Sequence, residues 1–316
     1  MTVSFDLEKL PLRGGGLWKL NNSLLDDQQF CTEMLALIEQ LLAVRHVFLS
    51  YREFWEILKN DMKALAISYS KCKRRAVSHQ KVFLTNHLIY LKDLLAGGDL
   101  SVKSDILEAE AALRSLFDTE LEGHKICSRV KWLEEGEAPS SFFLKLENQK
   151  HRKRFTSSVY NLEGREVFSL PEVMSAHEEF YSALFTEEPI EFEVKNSLLS
   201  YVSRTLYEND RLICEGFLSL EELTQALQLA NRNKTPGPDG FTVEFYSAFW
   251  SFLGPLLVEV FKESFCAGEL CDSMKSSVTR LVHKKDDKRD LKNWRPISLL
   301  NTDYKIGSNA LSLRLS

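Results

Sequence analysis

Paired cysteines, long apolar runs and a strong net charge are all missing from this sequence. Its six cysteines, Cys31, Cys72, Cys127, Cys214, Cys266 and Cys271, show no CxxC spacing, which argues against a structural zinc site and against a disulfide framework. They read as reduced, intracellular thiols. No stretch reaches the roughly 18 consecutive apolar residues of a spanning helix, and the opening MTVSFDLEKLPLRGGG puts no basic region ahead of an apolar one. The expectation is a soluble protein of the cytoplasm or nucleus, with no signal peptide and no membrane contact. Neither an internal repeat nor a low-complexity tract is found. The formal net charge is only −5, so any attraction to nucleic acid has to come from local basic patches and not from the bulk field.

What is present suits a packed protein: 316 residues, 44% hydrophobic and 27% charged, enough for two domains. After Asp26 and Asp27, the residues Phe30, Met34, Ile38, Leu41 and Leu42 fall three and four apart on one helical stripe. A second stripe carries Tyr51, Phe54, Trp55, Leu58 and Met62, and a third carries Ile106, Leu113, Phe117 and Leu121, with Gly97 and Gly98 as the breaker between them. The spacing leaves open whether these helices form a bundle or extended antiparallel arms. From Phe155 the pattern changes to β-branched and aromatic residues on either side of Asn161-Leu162-Glu163-Gly164, which predicts a small hairpin near 155–170. The fold class expected is mainly α with a small β component. A helical arm or bundle with its hairpin occupies 17–190, a linker 191–214, and an incomplete α+β unit 215–316.

Two stretches of that last unit carry candidate chemistry. KTPGPDGFTVEFY (234–246) joins two helices through two prolines and two glycines, with the cation Lys234 beside exposed backbone amides. It suits a phosphate, and equally a rigid interhelical turn with no ligand. TRLVHKKDDKRDLKNWRPISLLNTDYK (279–305) places Arg280, Lys284, Lys285, Lys288, Arg289, Lys292 and Arg295 around a predicted strand, loop and strand, against Asp286, Asp287 and Asp290. Guanidinium binds phosphate bidentately, so such a hairpin suits a triphosphate or a nucleic-acid backbone; a solvated charged hairpin is the alternative. Two short runs, Lys71 to Arg75 and Lys150 to Arg154, are basic enough for phosphate backbone or an import receptor, or are plain solvated faces.

NKTPGPDGFTVEFYSAFW followed some 40 residues on by LVHKKDDKRDLKNWRPISLLNTDYKI closely resembles the opening blocks of reverse transcriptases encoded by LINE-type (non-LTR) retrotransposons. GLWKLNNSLLDDQQF (16–30) resembles the stretch after their endonuclease, and RVKWLEEGEAPSSFFLKLENQKHRKR (129–154) the region before their polymerase. The resemblance implies that 215–316 is a partial fingers subdomain. It implies that Lys284 and Arg295 hold the phosphates of the incoming nucleotide. By the same resemblance Lys234, Gly237, Asp239 and Gly240 fall on a template-side element; Lys285 and the basic run with Lys150, Arg152, Lys153 and Arg154 are, from their charge, further candidate nucleic-acid contacts. His283 departs from the family, standing where a proline is usual.

In the complete family enzyme Mg²⁺ is held by palm aspartates, and RNA template and DNA primer are the partners. Those aspartates fall beyond this sequence, and Asp303 has no aromatic-x-Asp-Asp turn beside it. The chain as given is therefore expected to bind no catalytic metal and to be no enzyme: a truncated retrotransposon product. A surviving RNA-binding module and a fragment of an active polymerase are the alternative readings. An unfinished fingers unit is also expected to leave Leu299, Leu300 and Ile306 without packing partners. Oligomeric state is not legible.

Overall fold

The computed structural model describes residues 16–128, 158–187, 191–203 and 207–315. It is mainly α, with two small antiparallel two-stranded sheets. The chain divides into two compact units, Met1–Ile67 with Ser158–Ser316, and Ser68–Ser157.

In the first unit, helix α1 (Gln28–Ala43) starts on Asp27, whose carboxylate accepts the Gln29 amide at 3.1 Å, and buries Phe30, Met34 and Ile38. Helix α2 (Tyr51–Ala96) begins on Ser50, which accepts the amides of Arg52 and Glu53, and its first turns bury Phe54, Trp55, Leu58 and Met62 completely. These are the two stripes read from the periodicity. A Ser219–Glu222 capping box opens α7 (Leu220–Leu229). Helices α8 (Val243–Ala248) and α9 (Trp250–Ala267) add Phe245, Tyr246, Leu253, Leu257 and Val260 to the core. The last helix, α11 (Thr302–Arg314), packs on α7 and follows the short α10 (Asp272–Lys275) and an antiparallel hairpin.

That hairpin pairs β3 (Ser277–His283) with β4 (Trp294–Leu300) in one unbroken register, Ser277 opposite Leu300 through His283 opposite Trp294. The smaller hairpin, β1 (Val159–Tyr160) with β2 (Glu166–Val167), leads into α4 (Leu170–Leu184), which a second capping box starts at Ser169. Val159, Val167 and Ala176 form a satellite core with Leu291 from the loop between β3 and β4. Two short helices, α5 (Phe192–Ser200) and α6 (Glu208–Glu215), occupy the stretch read from composition as linker.

The expectation of unpacked apolar residues at the end of the chain is overturned for Ile306, which is 1% exposed, while Leu299 and Leu300 are half-buried. Gly307 allows this. A Cβ there would stand 2.7 Å from Cε1 of Phe261, so only glycine lets α11 sit this close to α9. Arg314 then ties the end of α11 back to Glu222 and to the carbonyls of Gly216 and Phe217.

The described part of the second unit, residues 68–128, is a helical hairpin. The remainder of α2 turns at Gly97 and Gly98 into α3 (Lys103–Ser128), and Leu91, Val102, Ile106 and Ala109 pack between the two helices. Lys92 pairs with Glu110 at 2.9 Å, and the Lys81 ammonium lies 4.8 Å from the Phe117 ring centroid. Low residues of α3 meet high residues of α2, so the helices run antiparallel. The arm geometry that periodicity left open is thereby decided for this unit. No helix among the described residues is long and apolar enough to cross a membrane.

Candidate functional site

In an antiparallel hairpin, cross-strand partners share a face and alternate residues share a face. Val282 stands opposite Arg295 and Arg280 opposite Ile297. The ladder continues one step, the Lys284 amide donating to the Asn293 carbonyl at 2.8 Å. Arg280, Val282, Lys284, Arg295 and Ile297 therefore lie on one face, and all five are exposed. The other face carries the half-buried Leu281, His283, Trp294 and Pro296. Among the described residues no carboxylate pairs with Arg280, Lys284 or Arg295.

The acids of the tip are engaged elsewhere, which keeps this face open. Asp287 pairs with Arg289 at 2.7 Å and holds the Asp287 carboxyl below the usual carboxylate range through that side-chain hydrogen bond. Arg289 also reaches Glu166 at 3.4 Å and lies over the Tyr160 ring, while its carbonyl accepts the Tyr160 amide at 2.8 Å. Asp290 caps the turn 291–293, and Asp286, at φ +62°, lies 3.7 Å from Lys285. The His283 ring contacts Trp294 at 5.3 Å, and the Trp294 indole donates to the Lys288 carbonyl at 2.7 Å. The small hairpin thus buttresses the tip of the large one. Sequence reading found both hairpins but not this joint, because its links, the Tyr160–Arg289 backbone hydrogen bond, the Arg289 contacts with Glu166 and Tyr160, and the packing of Leu291, join residues more than 110 apart in sequence.

The loop 234–240 is built differently. Lys234 is exposed, whereas Gly237 and Gly240 are buried. The Asp239 carboxylate meets the Lys59 ammonium at 2.7 Å; Lys59 also reaches Asp303 at 2.7 Å and the Ser273 hydroxyl at 2.9 Å. Trp55 donates its indole N–H to the same Asp303 oxygen at 2.9 Å. Asn301 accepts the Asp239 amide at 3.1 Å and donates to the Ser273 carbonyl at 2.7 Å. Leu20 donates its amide to the Gly240 carbonyl, and the Thr302 hydroxyl donates to the Phe241 carbonyl. In this way α2, the loop and α11 share one buried ionic joint, which fixes where the hairpin just before α11 can stand.

Lys59 escaped the sequence reading, although a signal existed. It sits four residues after Trp55 and three before Met62, on the buried stripe of α2, where a lysine requires a partner. Burial alone would lower its pKa, but Asp303 and Asp239 overrule that and hold it above the ordinary lysine value. Asp239 is raised, chiefly by burial and also by the like charge of Asp303, against the pull of Lys59. The ammonium is raised in the folded state, so its stabilisation is fully present below the unfolded lysine pKa and is lost as pH rises through the folded value. The stability gap between wild type and Lys59→Met is thus expected to stay level through neutral pH and to shrink above about pH 10.4; urea titrations at pH 7, 9 and 11 would show it. A gap that widens toward pH 11 would contradict the pairing.

The residues Lys150, Arg152, Lys153 and Arg154 lie outside the described residues. Lys285 is exposed on the tip of the hairpin. Among the described residues no group of three or more His, Cys, Asp or Glu is placed to hold a metal ion. The two buried carboxylates that do come together, Asp239 and Asp303, are bridged by the Lys59 ammonium.

No protein-family model matches the chain. Over 302 residues it is 34% identical to the transposon TX1 uncharacterized 149 kDa protein of Xenopus laevis, an alignment that covers 94% of this chain and 23% of that protein. The chain spans about a quarter of the length of the relative it matches. This similarity supports an origin in a transposable element.

Proposed function

We propose that the chain is the amino-terminal part of the reverse-transcriptase region of a LINE-type retrotransposon protein, and that 215–316 are fingers which hold the phosphates of an incoming nucleotide. The observation that carries this reading is the exposed face of the large hairpin, where Arg280, Lys284 and Arg295 stand together with no carboxylate partner among the described residues. Two guanidinium groups and one ammonium on a stiff two-stranded platform offer charge-assisted hydrogen bonds to a triphosphate. Val282 and Ile297, between the cations, give the nucleotide's apolar surface something to lie against. Lys234 and the Gly237–Gly240 turn are template-side in this reading. The joint through Asp239 sets the position of that turn, and Lys234 is the side chain free to meet a backbone.

Polymerisation itself needs two metal ions clamped between carboxylates. The two carboxylates brought together among the described residues, Asp239 and Asp303, are bridged by the Lys59 ammonium, and we propose that the 316-residue chain binds nucleotide without joining it. The test is a pair of measurements on the recombinant chain. Fluorescent deoxynucleoside triphosphate is expected to bind, and Lys284→Ala and Arg295→Ala are each expected to weaken it about tenfold or more, the usual value of a charge-assisted bond. Primer extension on an RNA template with Mg²⁺ is expected to yield no product. Undiminished triphosphate binding by the double variant would remove the basis of the reading.

A further inference from the structure

The helical arm holds a second concentration of charge, separate from the hairpin. Between Met62 and Lys92 the sequence has seven cations, Lys63, Lys71, Lys73, Arg74, Arg75, Lys81 and Lys92, and no Asp or Glu, in a protein whose net charge is −5. The whole stretch lies within α2. At 100° per residue, Lys71, Arg75, His79, Phe83 and Tyr90 occupy an arc of about 120°, and Leu84, Leu88, Leu91 and Leu95 fall on the opposite side, toward α3. Lys71, Arg74 and Arg75 are exposed, and among the described residues no carboxylate pairs with them. Farther along the same arc, Phe83 is 67% exposed and Tyr90 is 59% exposed. The His87 ring stacks on Phe83 with centroids 5.9 Å apart and planes 7° from parallel, which fixes the phenyl ring while leaving most of it in solvent.

We infer that this outer face of α2 is a binding surface for single-stranded nucleic acid, with Lys71 and Arg75 on the phosphates, the exposed Arg74 flanking them off the arc, and Phe83 and Tyr90 as stacking platforms for bases. Cations followed by bare aromatics on one stiff element are what a strand needs: charge that tracks the backbone, and π faces that accept any base. A seven-residue step along a helix separates the two rings by roughly 10 Å, so an extended strand can place non-adjacent bases on them. A duplex offers the phosphates but keeps its bases stacked internally, so it would use the cations alone. The inference does not rest on the nucleotide-binding reading of the hairpin.

The test measures binding of 20-nucleotide single-stranded RNA, the matching single-stranded DNA, a duplex of the same sequence and poly-glutamate to the full 316-residue chain. Lys71→Ala/Arg74→Ala/Arg75→Ala is expected to lower single-strand affinity at least tenfold and to flatten the salt dependence by about two log units of affinity per log unit of salt. Phe83→Ala/Tyr90→Ala is expected to cost single strands about tenfold and the duplex little. Alanine is the strongest helix former, so both variants should keep the wild-type circular dichroism. Lys284→Ala/Arg295→Ala is expected to leave strand binding largely intact, which separates this surface from the hairpin. RNA binding tighter than DNA, or the reverse, names the natural strand, and either result upholds the surface. Wild-type affinity in the triple variant would overturn the inference. So would poly-glutamate binding as tightly as the oligonucleotides, which would point to an acidic protein partner.

Discussion

Lys59→Ala is expected to destabilise the first unit by about 3–5 kcal/mol, the usual consequence of removing one partner from a buried ion pair. Asp239 and Asp303 would then face each other with no cation, and Asp303 is fully buried. Whole domains have only about 5–15 kcal/mol to lose, so the variant should melt at markedly lower urea and tend to aggregate. The design includes its own control. Lys59→Met combined with Asp239→Asn and Asp303→Asn replaces the ions with neutral groups of similar volume, and the Trp55 indole can still donate to the amide oxygen at 303. That triple variant is expected to recover most of the lost stability, because an apolar or neutral substitute for a buried ionic group is often no less stable. Urea midpoints followed by circular dichroism report both. If Lys59→Ala unfolds at the wild-type midpoint, the joint is not formed in solution.

The same network explains which parts of the architecture were legible. Helices α1 and α2, the capping box at Ser219 and both hairpins follow from local rules: apolar spacing, a cap, a turn between β-branched runs. Each is decided within a dozen residues. The joint is decided across more than 240, from Lys59 to Asp303, and nothing near either residue names the other. In the same way the Trp18–Leu24 segment stands out in the sequence only by resemblance, yet Leu20 hydrogen-bonds to Gly240 and Trp18 packs edge-on against Phe241 at 5.6 Å. Its role exists only once the loop is in place.

The candidate site divides along a similar line. Lys284 and Arg295 came from resemblance, and the hairpin register shows why they belong together: two strands in antiparallel pairing bring residues 11 apart in sequence onto one face. Arg280 joins them by the same alternation, a consequence of period two that could have been drawn once the strand pairing was assumed. Asp239 and the two glycines of the loop were legible as residues that matter but not for what holds them. Spacing marks a turn; only packing shows that this one is clasped on three sides.

Gly237→Ala and Gly240→Ala should show how tightly that clasp closes. A Cβ at 237 would stand 2.5 Å from the Asn301 amide nitrogen and 2.6 Å from the Leu300 carbonyl carbon. Both are backbone atoms at the junction of β4 and α11, so neither can swing aside as a side chain would. At 240 the backbone has φ +82°, which an L side chain rarely adopts, and the new methyl would approach the Trp18 carbonyl oxygen to 2.5 Å. Overpacking typically costs about 1–3 kcal/mol, and a left-handed backbone at a residue with a Cβ about 1–3 kcal/mol, so Gly240→Ala carries both penalties and Gly237→Ala the first, against rigid atoms. Gly237 and Gly240 lie 47 and 44 residues before Lys284, so a purely local defect would leave triphosphate binding alone. Because Gly237 abuts the residue that ends β4, however, its variant is expected to shift the hairpin and weaken triphosphate binding several-fold, while Gly240→Ala, which pushes on Trp18, loses stability with little change in binding. Equal binding losses in the two variants would mean that general unfolding, and not the seat of the hairpin, accounts for both.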